Sequence, residues 1–222
     1  ETLILCGGQG SRIRDISEVL PKPMLNVGEK PILWHIMNSY SFFGFSNFVL
    51  CLGYKGKVIK DFFLNYRSHT SDFSIDFSNN QKITYHSDYQ PINWNITFAE
   101  TGLNAMTGAR IYKARKYIKS DFFMITYGDG LSNVNIKSLL ENHKSHGKIL
   151  TITGVRPPSR FGELELNNDN LLTEFNEKPQ SIEGIISGGY FVANKNIFNY
   201  LSDNDELVFE RDPIKELVKD EE

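Results

Sequence analysis

The hydrophobic positions of this chain fall into two patterns that alternate along its N-terminal part. Short, continuous apolar runs occur at 2–6 and 47–52, and a glycine follows each of them. Runs of this length are typical of strands that are buried on both faces of a sheet. Apolar residues then recur at helical spacing in 32–43 and 58–66. The order strand, helix, strand, helix indicates a parallel sheet with helices on its faces.

The pattern changes between residues 67 and 99. Ser, Asp, Asn and His separate three short stretches in which apolar and polar residues alternate, at 73–77, 82–86 and 95–98. Such alternation is typical of strands that keep one face in water. We therefore interpret 67–99 as an inserted region of small antiparallel strands.

The rest of the chain returns to the first pattern. Apolar runs at 121–127 and 150–155 predict two more buried strands, and Asn135 is a suitable N-cap for a helix between them. Further expectations are helices at 104–118, 197–201 and 213–218, and a β region at 163–192. We predict a single α/β domain over 1–222, built on a doubly wound, mostly parallel, Rossmann-like sheet with the small antiparallel strands inserted.

Composition and charge narrow the class of protein. The 222 residues are 40% hydrophobic and 13% aromatic, which fits a packed globular domain. A net charge of −3 argues against a general nucleic-acid binder, which is usually strongly basic. Cys6 and Cys51 lie in apolar runs and are expected to be free, buried thiols. No apolar run approaches the roughly 18 residues of a membrane-spanning helix, so a cytoplasmic protein is expected.

A glycine-rich turn follows the first predicted strand and ends in Ser11 and Arg12. Gly7, Gly8 and Gly10 would expose backbone N–H groups at the carboxyl edge of the sheet, where open α/β sheets bind ligands. Arg12 adds a guanidinium suited to phosphate oxygens. The turn lacks the Gly-Lys-Ser/Thr of a Walker A loop, and Ile13 replaces the third glycine of a dinucleotide fingerprint. A phosphate-binding loop and an ordinary strand-to-helix turn both remain open.

Two charged residues stand in places that favour phosphate chemistry. Lys22 lies between two prolines, which hold it in a stiff, extended segment. Asp129 follows the predicted strand at 121–127 and is flanked by glycines, a setting in which a carboxylate can hold Mg²⁺ beside a phosphate. Each residue taken alone is equally compatible with an ordinary loop position.

These motifs, in this order on one α/β frame, resemble the sugar-1-phosphate nucleotidyltransferases. Stretches that resemble the cytidylyltransferases of that family run along essentially the whole chain, at 30–37, 53–56, 106–110, 126–130 and 160–162. The resemblance implies a GT-A-like fold, CTP as donor and Mg²⁺ as cofactor. It also implies a phosphorylated small molecule as acceptor, with glucose 1-phosphate the first candidate, and a homo-oligomer that binds neither nucleic acid nor membrane.

The resemblance also implies roles for individual residues. Arg12, Lys22 and Asp129 are expected to be catalytic, with Asp129 also holding the metal. The residues expected around the nucleotide are Gly7, Gly8, Gly10, Ser11, Thr101, Gly102, Thr107, Gly108 and Arg110. The residues expected around the acceptor are Gly162, Glu177, Lys178, Ser187 and Gly188. The family's second metal-binding aspartate is expected beyond residue 222.

Departures from the family pattern keep alternatives open. Ser187 stands where the family usually carries Asn, and Cys6 where it usually carries Ala. The alternatives are cytidylyl transfer to a non-sugar phosphate and a catalytically silent, nucleotide-binding regulator. His143 and His146 lack further ligands nearby in sequence for a zinc site, and the basic run 112–119 is better explained as a solvated helix face.

Overall fold

The computed structural model describes residues 1–8, 20–86, 91–157, 163–167, 171–176 and 184–222. The strands are β1 (Thr2–Leu5), β2 (Asn26–Val27), β3 (Lys30–Pro31), β4 (Asn47–Leu52), β5 (Phe73–Asp76), β6 (Lys82–Tyr85), β7 (Asn95–Glu100), β8 (Phe122–Tyr127), β9 (Leu150–Val155), β10 (Glu163–Leu166), β11 (Leu172–Asn176) and β12 (Ile186–Asn194). The α-helices are α1 (Ile32–Phe42), α2 (Gly56–Leu64), α3 (Tyr66–Thr70), α4 (Thr107–Ala114), α5 (Ile136–His146) and α6 (Asp212–Lys219). Short 3₁₀ turns occupy Lys22–Met24, Arg115–Tyr117 and Lys195–Tyr200. The expectation that Lys22 lies in an extended segment is wrong, because Lys22 begins a 3₁₀ turn and only the flanking Pro21 and Leu25 are extended.

The main sheet confirms the predicted fold class. Its strands run in the order β7-β4-β1-β8-β12-β9. The first four are parallel, and Leu3 of β1 lies opposite Val49 of β4 and Ile125 of β8. Strand β12 runs antiparallel to both of its neighbours. The chain therefore leaves β1 toward one side of the sheet and later returns to its other side.

The third stretch of the predicted insertion belongs to this main sheet. Strand β7 pairs in parallel with β4, from Asn47 opposite Asn95 to Leu52 opposite Glu100. The expectation that 95–98 is a small antiparallel strand is wrong. An edge strand keeps some side chains half-exposed, so it shows the same alternation as a strand of an isolated hairpin. The other two stretches do form an antiparallel hairpin, β5–β6.

Side chains of the sheet bury into a layer on each face, as the continuous apolar runs predicted. Leu3 and Leu5 of β1 pack into the layer that contains α4 and α6. Ile4 and Cys6 pack into the layer that contains α1 and α2. Residues that alternate along one strand thus serve opposite layers, because successive side chains point to opposite faces.

Local signals set the helix ends. Asn135 caps α5, with its side chain accepting from the Ser138 amide at 3.0 Å, as predicted. Gly44 and Gly147 have positive φ angles of 87° and 69° just after α1 and α5, conformations that glycine adopts without strain. Among the helices of the described segments, none combines the length and hydrophobicity needed to span a bilayer.

Candidate active site

The carboxyl ends of β1 and β8 meet at the point where the strand order reverses. Such switch points form the ligand-binding crevice of open α/β sheets. Gly7 and Gly8 follow β1 closely, and Asp129 follows β8. A cavity of about 390 Å³ opens here. Its lining residues are Leu5, Cys6, Gly7, Gly8, Lys22, Pro23, Ala105, Met106, Thr107, Arg110, Tyr127 and Asp129.

Gly7 and Gly8 play different parts in this cavity. The Gly7 carbonyl accepts hydrogen bonds from the Tyr54 amide at 3.2 Å and from Arg110 Nη2 at 3.0 Å. A Cβ added to Gly7 would lie 2.2 Å from Arg110 Nη1, so a side chain there would force the guanidinium to move. In a trans peptide the carbonyl and the next N–H point in opposite directions. The Gly8 amide of this exposed residue therefore faces away from Arg110, as an anion-binding loop requires.

Arg110 is buried beneath that loop, and both terminal nitrogens of its guanidinium donate to oxygens of the protein. Only 4% of the residue is exposed, and burial lowers the pKa of its guanidinium, which stays charged. None of its acceptors in the described residues is a carboxylate. The acceptors are Leu52 O at 2.9 Å, Thr101 Oγ1 at 2.8 Å, Gly102 O at 2.8 Å, Gly7 O at 3.0 Å and Leu103 O at 3.4 Å. Arg110 thus ties together the ends of β1, β4 and β7 and leaves a buried positive charge behind the cavity.

Thr101 and Gly102 belong to the same hydrogen-bonded cluster, which we call the Arg110 clasp and which consists of Arg110 and the oxygens it contacts. The Thr101 hydroxyl donates to Leu52 O at 2.7 Å and accepts from Arg110. Gly102 turns the chain with a φ of 104°. The Thr101 hydroxyl and the Gly102 carbonyl are thus engaged within the protein. A ligand would therefore contact other atoms of these two residues.

Thr107 and Gly108, also expected around the nucleotide, are bound to the segment 205–210. The Gly108 amide donates to Leu207 O at 2.9 Å, and a Cβ on Gly108 would lie 2.8 Å from Leu207 Cγ. The Thr107 hydroxyl donates to Glu210 Oε2 at 2.7 Å. Protein groups therefore occupy these polar atoms at the start of α4, although Thr107 still lines the cavity.

Lys22 and Asp129 meet across the cavity mouth. Lys22 Nζ lies 4.0 Å from Asp129 Oδ2, and the side chains are 22% and 45% exposed. The close packing of Gly128 brings the two segments together, since a Cβ on Gly128 would lie 2.9 Å from Cys6 Sγ and 3.0 Å from Pro23 Cγ. A long, partly exposed ion pair contributes little to stability, so a ligand can separate the two charges at small cost.

The donor set at Asp129 fits a divalent cation such as Mg²⁺. In proteins Mg²⁺ is usually held by one or two carboxylates together with substrate phosphates and water. Asp129 supplies one exposed carboxylate at the mouth of the cavity. Within the described ranges no three His, Cys, Asp or Glu side chains form a metal-binding cluster.

The reversed direction of β12 places a second segment at this edge. Tyr190 of β12 pairs with Thr126 of β8, so Ser187 and Gly188, which come before it, lie beyond the end of β8. The β12–β9 register shifts between Ser187 and Phe191. Ser187 Oγ accepts from the Gly189 amide at 3.3 Å. Ser187 and Gly188 therefore lie at the same edge of the sheet as Asp129.

Six predicted site residues lie outside the described residues: Gly10, Ser11, Arg12, Gly162, Glu177 and Lys178. Two polar residues had no predicted role: Tyr127, which lines the cavity, and Glu210, which contacts Tyr127 and Thr107. Tyr127 stands inside the Tyr127–Gly130 motif, whose position in the sequence was a usable signal. Glu210 is distant in sequence and shows no motif of its own.

The chain matches a known protein family over nearly its whole length. The family model for nucleotidyl transferases matches residues 1–221. The chain therefore belongs to the nucleotidyl transferase family.

Individual relatives narrow the comparison. The chain is 41% identical over 222 residues to a probable glucose-1-phosphate cytidylyltransferase of Bacillus subtilis, covering 100% of this chain and 85% of the relative. It is 41% identical over 220 residues to glucose-1-phosphate cytidylyltransferase of Salmonella typhimurium, covering 99% and 84%. Among solved structures, HddC from Yersinia pseudotuberculosis superposes with a TM-score of 0.66 at 27% identity, covering 95% of this chain and 83% of that one. HddC has also been solved in complex with GMP-PN.

Proposed function

We propose that this enzyme transfers a cytidylyl group from CTP to glucose 1-phosphate, producing CDP-glucose and pyrophosphate. The observation that carries the proposal is the meeting of Gly8, Lys22 and Asp129 at one cavity, in a chain 41% identical to cytidylyltransferases over its whole length. In the proposed reaction an oxygen of the acceptor phosphate attacks the α-phosphorus of CTP. A new P–O bond forms there, and the bond to the bridging oxygen breaks as pyrophosphate leaves.

The protein must hold two anions that repel each other. At about 4 Å their repulsion is roughly 4 kcal/mol for unit charges at an effective dielectric constant near 20. Lys22 would lie between the two phosphates, and the Gly8 amide would donate to the triphosphate. Arg12 and Lys178 would bind the leaving pyrophosphate and the acceptor phosphate. Asp129 would hold Mg²⁺, which supplies positive charge and orients the phosphates when bound. The buried charge of Arg110 adds a fixed positive field behind the loop.

The test is pyrophosphate release by the full-length protein with CTP, Mg²⁺ and glucose 1-phosphate. GTP, UTP and dTTP serve as alternative donors. Lys22→Ala is expected to lose turnover, and Lys57→Ala, an exposed lysine on α2, is the matched control. Turnover only with another triphosphate would contradict the choice of CTP. Silence of the wild-type protein with every donor and acceptor would favour a nucleotide-binding regulator.

A different phosphorylated acceptor is the second candidate, and Ser187 favours it. The Ser187 hydroxyl is occupied by the amide of Gly189 in its own turn. The segment therefore offers an acceptor no side-chain amide, which Asn would supply at this position. A panel of phosphorylated polyols and amides in the same assay separates the two acceptors.

We further propose that the enzyme is a homo-oligomer and acts in the cytoplasm, where CTP is made. The β5–β6 hairpin supports the first point, because Ile75, Phe77 and Ile83 are 42%, 75% and 48% exposed. Apolar side chains clustered in this way often mark a protein interface. Sedimentation of the wild type and of Phe77→Ser tests the assembly, and an unchanged mass would contradict a role for the hairpin. The free, buried thiols of Cys6 and Cys51 suit a reducing compartment.

A further inference from the structure

The carboxylate of Glu210 bridges two residues of the cavity wall. Its Oε2 accepts from the Thr107 hydroxyl at 2.7 Å, and its Oε1 accepts from the Tyr127 hydroxyl. Thr107 begins α4, whereas Tyr127 ends β8. Glu210 is not among the described residues that line the cavity. Any influence of Glu210 on the reaction would therefore pass through these two partners.

Thr107 has independent support from the same segment. Its hydroxyl accepts from the Phe209 amide at 2.9 Å. The neighbouring amides of Met106 and Gly108 donate to Asp205 O at 2.7 Å and to Leu207 O at 2.9 Å. The start of α4 is thus held by several backbone contacts, and the loss of one carboxylate would move it little.

The Tyr127 hydroxyl is held by Glu210, while its ring also packs edge-on against Phe191. The hydroxyl stays protonated and can donate, because burial and the hydrogen bond with Glu210 raise the pKa of Tyr127 far above its ordinary value. On its other side the ring fits against the backbone of Gly189, where a Cβ would lie 2.8 Å from Tyr127 Cδ2. Gly189 has a φ of 76°, so the ring packs against a turn that favours glycine. The Glu210 carboxylate therefore holds the hydroxyl end of a ring whose Cδ2–Cε2 edge packs against this turn.

This ring stands at the boundary between the two proposed substrates. Tyr127 lines the cavity together with Gly8 and Lys22. It also contacts the turn that carries Ser187 and Gly188, the residues expected around the acceptor. A change in the tilt of the ring would alter the acceptor side while leaving the loop after β1 in place, because Arg110 holds that loop separately.

We propose that Glu210 is a positioning residue for acceptor binding, which holds the Tyr127 ring against the 187–189 turn. This inference rests on the proposed transferase function. It predicts that Glu210 controls the affinity for the acceptor phosphate and has little effect on the affinity for CTP.

The test compares Glu210→Ala, Glu210→Gln, Tyr127→Phe and the double variant Tyr127→Phe/Glu210→Ala. Glu210→Ala should raise the KM for glucose 1-phosphate by about tenfold, the loss expected for one hydrogen bond to a charged group. The KM for CTP should change less than about twofold, within the spread of substitutions away from a site. Glu210→Gln keeps the shape and an acceptor oxygen, so it should recover part of the loss. In the Tyr127→Phe background, Glu210→Ala should add little, because the two residues form one unit.

Glu206→Ala is the matched control, since Glu206 is an exposed glutamate of the same segment. Equal changes in both KM values, or a full additional loss in the double variant, would overturn the positioning role. The wild-type assay is read first and by itself decides the proposed function. If another acceptor is the substrate, the same comparison is made with that acceptor. If no turnover occurs, calorimetric titration with glucose 1-phosphate replaces it, and equal titration curves for wild type and Glu210→Ala would overturn the inference.

Discussion

Two cations near the cavity, Arg110 and Lys22, are held in opposite ways. Arg110 is 4% exposed and donates to five oxygens that belong to the protein itself. Lys22 has a 22% exposed side chain and meets Asp129 at 4.0 Å. A side chain that donates to several buried oxygens of the fold stabilises structure, whereas a loosely paired one remains available to a ligand. Arg110 therefore supports the structure of the site, whereas Lys22 is available for its chemistry.

The largest expected effect comes from Arg110→Ala, which should lower the free energy of unfolding by about 3–5 kcal/mol. The reason is that five oxygens lose one donor each and the packing of a buried side chain is lost with them. Urea denaturation measures the change. Arg110→Lys keeps the charge but lacks the planar guanidinium, so its free energy of unfolding should lie between those of the wild type and Arg110→Ala. Arg115→Ala, an exposed arginine that follows the same helix, should stay within about 0.5 kcal/mol. A stable Arg110→Ala variant would break the comparison.

Lys22→Ala should show the reverse behaviour. We expect kcat/KM to fall at least about 100-fold, as for the loss of one preorganised charge beside a reacting phosphate. The free energy of unfolding should change by less than about 1 kcal/mol, because the pair with Asp129 is partly exposed. Steady-state kinetics and urea denaturation of one preparation give both values. A variant that unfolds more easily yet keeps its turnover would contradict the assignment of Lys22.

A buried histidine elsewhere in the fold extends the comparison to pH. The His143 side chain is buried, and its Nδ1 lies 2.7 Å from Thr151 Oγ1. Burial, with a smaller contribution from His146, lowers the pKa of His143 from 6.5 to about 4. Between these values the unfolded chain binds more protons than the folded one, so stability is complete above pH 6.5 and falls with pH toward 4. The loss should reach about 2–3 kcal/mol.

Denaturation at several pH values measures this loss. Carboxylates with lowered pKa values, such as those of Glu1 and Asp76, also weaken the fold in acid. His143→Gln isolates the histidine, because Gln keeps a polar side chain without titrating. Its stability should change less steeply over the same pH range. His69→Gln, at an exposed position, should keep the wild-type slope. Parallel slopes in wild type and His143→Gln would refute the role of His143.

The smallest effect comes from the two glycines of the loop after β1. A Cβ on Gly7 would collide with the Arg110 guanidinium, whereas nothing lies within 4 Å of one on Gly8. Gly7→Ala should cost about 2 kcal/mol of unfolding free energy, a typical value for overpacking. Gly8→Ala should stay within about 0.5 kcal/mol and raise the KM for CTP. Equal losses of stability in the two variants would contradict the view that only Gly7 packs tightly against Arg110.

The sequence predicted the part of the molecule that depends on burial patterns. Buried strands β1, β4 and β8 were recognisable because both of their faces are apolar, and their parallel arrangement brought Gly8, Lys22 and Asp129 to one edge. Strand β7 was misassigned, since an edge strand shows the alternation of a hairpin strand. The clasp of Arg110 left no signal, because its acceptors are mostly backbone carbonyls, which every residue type carries. Glu210 and Tyr127 are separated by 83 positions, and no local pattern links them.

The reversed strand β12 has a consequence for how such enzymes can change. It brings the 187–189 turn to the sheet edge from a block of chain that begins well after Asp129. The residues proposed for the donor before Asp129 and the turn proposed for the acceptor thus come from separate stretches of the chain. A stretch of chain around β12 could be exchanged between family members while the loop of β1 and its clasp stay intact. A new acceptor would then be acquired by grafting, without redesign of the half that handles the triphosphate.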